Sequence, residues 1–167
     1  ALNENLIQAN GEINCGNGVI KMQGRNDFVD KHCHQTISYT DAMAVSSNYA
    51  TIKTAQQLGN ERFFNYSQRF GFGKPTGIEV PAEARGLVRS PKTWNADTLA
   101  SMSIGYEVNV TALQAVSAYA AIANDGIRVQ AHLIKEVRQN GEVISKTEPE
   151  TTEVMSAETA KNLRKML

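Results

Sequence analysis

Three adjacent residues, Ser46-Ser47-Asn48, bring two hydroxyls and a carboxamide together between two helical patterns. A hydroxyl both donates and accepts a hydrogen bond and can pass a proton, and a carboxamide offers donors and an acceptor to a peptide-like group. The same residue types are the commonest helix N-caps. On the residues alone the triplet reads either as a cap or as one wall of a cleft. A second cluster, Asp30-Lys31-His32-Cys33-His34, crowds four possible metal ligands into five residues. A zinc site usually needs a further ligand group at a distance, and the sequence offers none, so surface or hinge histidines are the preferred reading and no metal is expected. Cys15 and Cys33 can form one disulfide or stay free.

The elements that must position the triplet follow from periodicity and punctuation. Ser38 to Val45 predicts a short helix with Ser38 as N-cap, Asp41 three residues on, and Ala42, Met43 and Val45 as its apolar face. Tyr49 to Leu58 predicts a second, with Ile52, Ala55 and Leu58 inward and Gly59 as its stop. Asn60 caps a third, Glu61 to Phe70, closed by Gly71. From Gly71 through Pro75, Gly77, Pro81 and Gly86 to Pro91 the turn formers require a shaped loop, in which Lys74 reads as a solvated charge and Trp94 as the anchor. Thr111 and Gln114 have capping-box spacing and open the strongest helix, which Gly126 stops. Its alanines and the face Leu113, Val116, Ala120 and Ala123 predict the buried central helix.

The flanks read more simply. Residues 1 to 10 resemble a helix end, and 11 to 37 a loop with one short strand pair. His132 to Val137 and Glu142 to Lys146 form a hairpin about Asn140-Gly141, and Thr147 to Thr152 is a polar connection. Ser156 to Leu167 predicts a final helix with Ala157, Ala160, Leu163 and Leu167 as its apolar face.

Composition excludes several function classes. Seventeen basic and seventeen acidic residues give no net charge and no run of one sign, which argues against a nucleic-acid groove or a membrane-surface helix. No apolar run approaches the roughly 20 residues of a membrane span. Gly71-Phe72-Gly73 follows a helix and leads to a proline, the wrong setting for a dinucleotide fingerprint, so no cofactor is expected.

The order of signals carries more than any one of them: Ser46-Ser47-Asn48, then Arg69-Phe70-Gly71-Phe72-Gly73 with Thr76-Gly77, then Gly105-Tyr106-Glu107 with Val110-Thr111-Ala112-Leu113-Gln114, then Asn124-Asp125-Gly126. This succession resembles the transpeptidase domain of class B, high-molecular-weight penicillin-binding proteins along nearly the whole chain. The Asp30 to His34 stretch is similar to that family's segment ahead of the helix leading to Ser-x-Asn.

The resemblance implies a fold and a chemistry. The fold expected is mainly α, the helical subdomain of the α+β penicillin-binding/transpeptidase fold, with one or two short β-hairpins. Residues 1 to 167 are expected to be one partial domain, cut at both ends. The family builds its site from Ser-x-x-Lys, Ser-x-Asn and Lys-Thr-Gly. Only the middle one occurs here: Lys53-Thr54 is followed by Ala55, and Ser90-Pro91-Lys92 has the wrong spacing. By resemblance Ser46 relays a proton and Asn48 hydrogen-bonds a substrate amide or a lysine, with Ser47 kept as a cap. Gly105, Tyr106 and Glu107 either line the entrance as substrate-binding residues or form a plain turn. Stem peptides ending in D-Ala-D-Ala, β-lactams and other cell-wall synthesis proteins are the partners implied for the parent, which is expected on the outer side of the bacterial cytoplasmic membrane. The alternatives are a β-lactam sensor without turnover, which Asn48 disfavours, and a helical interaction domain.

Overall fold

A computed structural model describes residues 1–24 and 26–167 of the chain. Six helices are present among these: α1 (Tyr39–Ala44), α2 (Asn48–Leu58), α3 (Asn60–Arg69), α4 (Thr98–Ser103), α5 (Ala112–Ala123) and α6 (Ala157–Met166). The strands form four antiparallel pairs: β1 (Glu12–Asn14) with β4 (Thr36–Ser38), β2 (Val19–Ile20) with β3 (Phe28–Val29), β5 (Ile127–Val129) with β8 (Thr151–Glu153), and β6 (Glu136–Gln139) with β7 (Glu142–Lys146).

The expectation of a mainly α fold with one or two hairpins is therefore corrected. Helix takes 37% of the chain and strand 16%, a small α/β arrangement. The hairpin about Asn140-Gly141 forms with both turn residues at positive φ and its second strand as expected, but its first strand runs Glu136–Gln139 where His132 to Val137 was expected. The segment 11 to 37 holds two nested pairs where one was expected, and the polar connection 147 to 152 contributes part of β8. Strands of two or three residues are too short to show alternation. Their partners are also distant in sequence, so no local pattern announces them.

Helix α2 is the hub. Ala50, Ile52, Ala55 and Leu58 are buried, and Ile52 joins Ile20 and Ala100 in one apolar cluster. Ala50 joins a second cluster with Ile13, Cys15, Cys33 and Ala42. A third lies under α5 and α6, where Ala121, Val154, Met155 and Ala160 meet. Helix α5 is not the buried central helix predicted, since Val116 is 65% and Tyr119 66% exposed. Its inward face is Gln114, Ala118 and Ala121, not Leu113, Val116, Ala120 and Ala123. A helix apolar on nearly every side carries no unique moment, so periodicity cannot choose its face. In α6, Ala160 and Met166 are buried while Leu167 is exposed. The N-terminal segment is a single 3-10 turn, Leu2–Glu4. Asn60 opens α3 as its first residue; Gly59 holds the cap position, without a side-chain bond.

The long loop between α3 and α4 is fastened by Gln114. Its Oε1 accepts the Thr111 amide at 2.9 Å while Thr111 Oγ1 accepts the Gln114 amide at 3.1 Å, the predicted capping box. Its Nε2 donates to the Lys74 carbonyl at 2.6 Å and the Arg85 carbonyl at 3.0 Å. Trp94 anchors the far end of the loop, donating from Nε1 to the Arg89 carbonyl at 3.0 Å with its ring edge-on to Phe63. Because the Gln114 amide is buried, its loss strands three backbone groups at once. Gln114→Leu is expected to lower stability in urea unfolding by about 2–4 kcal/mol. A change under about 0.5 kcal/mol would show that loop closure does not depend on this side chain.

Candidate active site

The triplet begins where α1 stops. Ser47 N donates to the Ala42 carbonyl at 2.8 Å and Ser46 N to the Met43 carbonyl at 3.0 Å. This is the paired bonding of a Schellman turn, with Ser46 in the left-handed position at φ 54°. Helix α4 ends in the same way: Tyr106 N donates to the Ser101 carbonyl at 2.9 Å, Gly105 N to the Met102 carbonyl at 3.1 Å, and Gly105 sits at φ 90°. The fold thus builds one turn twice, once with the glycine that suits it and once with a serine. A β-carbon in this conformation costs about 1–2 kcal/mol, and what serine adds is an exposed hydroxyl.

Ser47 is buried and caps α2, as expected, its Oγ accepting the Ala50 amide at 3.1 Å. The same Oγ donates to Asp30 Oδ2 at 2.7 Å. Asp30 is only 2% exposed, and its carboxylate also accepts the amides of Tyr49 at 2.8 Å and His32 at 2.8 Å. Burial pushes the Asp30 carboxyl up. The Tyr49 amide, the Ser47 hydroxyl and the amides of His32 and Cys33 outweigh it and hold the group below its ordinary value near 3.8. Asn48 follows as the first residue of α2, half-buried. Among the described residues nothing engages the Ser46 hydroxyl or the Asn48 carboxamide, so both are available to a ligand.

Cys15 and Cys33 are joined as a disulfide, with Cα atoms 5.7 Å apart, which settles the alternative left open by the sequence. Of the four candidate metal ligands, Cys33 is therefore committed to sulfur and Asp30 to the helix start, while His32 and His34 are exposed. Among the described residues no three His, Cys, Asp or Glu side chains gather.

A cavity of about 400 Å³ opens beside the triplet, walled by Ala42, Met43, Ala50, Thr54, Leu163 and Met166, with Ser46 and Ser103 bringing hydroxyls to it. The Gly105 to Glu107 turn is not on this cavity. Glu107 lines a second one, of about 310 Å³, with Gln23, Gly24, Asn95 and Asp97. Its carboxylate pairs with Arg89 and accepts the Thr98 hydroxyl at 3.4 Å, and Tyr106 is 60% exposed. Two residues beside the triplet carry no signal in the sequence. Ser103 ends an apolar run that gives no hint of a cavity. Asp30 reaches Ser47 across a separation of 17 residues, where no local spacing rule applies.

The penicillin-binding protein transpeptidase domain model matches residues 1–167. Penicillin-binding protein PbpB of Mycobacterium tuberculosis is 34% identical over 98% of the chain, which spans 23% of that protein. A probable peptidoglycan D,D-transpeptidase, PbpC of Pseudomonas aeruginosa, is 27% identical over 100% of the chain and 28% of that protein. The crystal structure of penicillin-binding protein 3 from M. tuberculosis, complexed with aztreonam, superposes with a TM-score of 0.89 at 33% identity, covering 99% of this chain and 37% of that one. The chain thus spans about a quarter of the length of these curated relatives.

Two outcomes follow from the local geometry. Ser46→Gly is expected to raise stability by about 1 kcal/mol in urea unfolding, while Ser46→Ala leaves it within about 0.5 kcal/mol. A destabilising glycine would show that the serine hydroxyl, not the backbone, governs the turn. Because the Asp30 carboxyl lies lower in the folded chain than in the unfolded one, its stabilisation is complete above about pH 5, well clear of the unfolded value, and is lost as pH falls through the folded value. The melting temperature is expected to fall as pH drops below about 5, with a shallower slope in Asp30→Asn. Equal slopes in the two proteins would remove Asp30 from the acid response.

Proposed function

Since the chain belongs to the transpeptidase-domain family of class B penicillin-binding proteins, we propose that Ser46 and Asn48 form one edge of a serine D,D-transpeptidase site. The observation that carries this reading is the Ser46 hydroxyl, on a residue held in a costly backbone conformation that lines a cavity, and left unengaged among the described residues. The reaction cross-links peptidoglycan stem peptides ending in D-Ala-D-Ala through a serine acyl-enzyme, and β-lactams acylate the same serine. Aztreonam bound to a structural relative supports the second half.

Acyl transfer requires a proton to leave the nucleophile and reach the departing amine. Ser46 can accept from one group and donate to the next without carrying charge, which suits a relay. Asn48 offers two N–H donors and a carbonyl, which suits a peptide amide or its β-lactam counterpart. Neither supplies a nucleophile with a base. The 167 residues spell neither Ser-x-x-Lys nor Lys-Thr-Gly, so the acylated serine and both lysines come from elsewhere in the parent protein. Gly105, Tyr106 and Glu107 are proposed to border the approach from the α4 side.

The Cys15–Cys33 disulfide supports a place outside the cytoplasm, since such bonds persist in oxidising compartments. Among the described residues no helix is long and apolar enough to cross a membrane. A membrane anchor and contacts with other cell-wall synthesis proteins are proposed for the parent from its family membership alone.

Fluorescent penicillin tests the reading. The 167-residue chain is expected to form no covalent adduct and the full-length protein a stoichiometric one. In the full-length protein Ser46→Ala is expected to slow acylation by about 10²–10⁴-fold. Labelling of the 167-residue chain alone, or acylation unchanged by Ser46→Ala, would overturn the assignment.

A further inference from the structure

Two routes lead from the disulfide to the triplet. Along the chain, Cys33 is followed by β4, whose Ser38 pairs with Glu12 and then caps α1, the helix that ends in the Ser46 turn. Through space, the Cys15 carbonyl accepts the Gly18 amide at 2.7 Å, and the Gly18 carbonyl accepts the Asp30 amide at 2.9 Å. Gly18 allows this contact: a β-carbon there would stand 2.4 Å from the Asp30 carbonyl oxygen and 3.0 Å from that of Cys33. Asp30 then reaches across to Ser47 and Tyr49 on either side of Asn48. Besides the disulfide, this loop is closed by strand pairs of three and two residues, lengths that are marginal by themselves, and by the Cys15 amide on the Gln35 carbonyl at 2.7 Å and the Gln35 amide on the Gly16 carbonyl at 3.1 Å.

We infer that the Cys15–Cys33 disulfide is a positioning device for the Ser46 and Asn48 edge, acting through the Asp30 carboxylate. Asp30 and the two cysteines touch no substrate. They fix where the relay hydroxyl and the carboxamide stand, and a displacement of about 1 Å in such groups costs on the order of 10²-fold in rate. This role rests on the transpeptidase reading, and its structural half can be measured without it.

The experiment uses the full-length protein as wild type, Asp30→Asn, Cys15→Ala with Cys33→Ala, and all three substitutions together. Two quantities are followed: the second-order rate of acylation by fluorescent penicillin, and hydrogen exchange at the amides of Tyr49 and Ala50. The Gln114 amide, in the first turn of a different helix, reports whether each variant is folded. Expected are rates lowered by about 10- to 100-fold in Asp30→Asn and in the cysteine variant, with the triple variant no slower than Asp30→Asn alone. Exchange at Tyr49 and Ala50 should quicken in all three while Gln114 is unchanged. Wild-type rate and exchange in the folded cysteine variant would overturn the inference, as would effects that multiply in the triple variant. Should Asp30→Asn not fold, Ser47→Ala takes its place; it removes one donor from the carboxylate and also the acceptor for the Ala50 amide, so exchange is then read at Tyr49 alone. Should the cysteine variant not fold, reduction of the wild type with a water-soluble phosphine breaks the same bond. If the wild type is never acylated, the transpeptidase reading fails. Exchange at Tyr49 and Ala50 then decides the positioning role alone, faster exchange supporting it and unchanged exchange overturning it.

Discussion

A carboxylate removed from water is tolerated only where enough donors converge on it, and Asp30 meets that condition at the start of α2. The positive end of the helix and the N–H groups of its first turn are the natural partners for a negative charge. Once Asp30 is seated there, the loop that carries it, the cap of α2 and the turn out of α1 are fixed together. Moving any one of them leaves a charge or an amide buried without a partner, which costs more than the bonds themselves contribute. The candidate site therefore inherits its geometry from a group that does not face the cavity.

Around that anchor the molecule divides its fastening between buried polar bonds and small apolar clusters. Gln114 does for the long loop what Asp30 does for the triplet, with one side chain satisfying backbone groups from distant parts of the chain. The ion pairs are different in kind. Lys21 with Asp27, Arg138 with Glu136 and Lys146 with Glu148 lie on the surface, where solvent and salt leave such pairs little worth. Specific shape at this site comes from the buried acceptors and from the disulfide, not from surface charge.

The two Schellman turns place different residues in one backbone conformation. At the end of α4 the chain places Gly105 where a left-handed residue is needed, and the turn is relaxed. At the end of α1 it places Ser46 in the same conformation and accepts the backbone cost. The hydroxyl then stands in the open next to Asn48, at a cavity lined mostly by apolar side chains. Folding alone gives no reason to prefer serine there.

Much of this was legible in the sequence because it is local. Ser38, Thr111 and Ser156 cap the helices their spacing announces, Ser47 caps α2, and Asn140-Gly141 turns the hairpin. These signals act over three or four residues, the range at which backbone hydrogen bonds fix a pattern. The ordered motifs likewise pointed to the family, since each is a short string read directly from neighbouring residues. The strand pairs β1 with β4 and β5 with β8, the inward face of α5, the joining of Cys15 to Cys33 and the reach of Asp30 to Ser47 were not legible. Each depends on groups far apart in the chain meeting in a dry interior, where burial and the need to satisfy a buried charge, rather than spacing, choose the partner. The sequence determined that Ser46, Ser47 and Asn48 lie at a helix junction. Only the tertiary structure decided that Ser47 faces a buried carboxylate while the side chains of its two neighbours meet no partner among the described residues, because that division follows from which side of the junction Asp30 occupies.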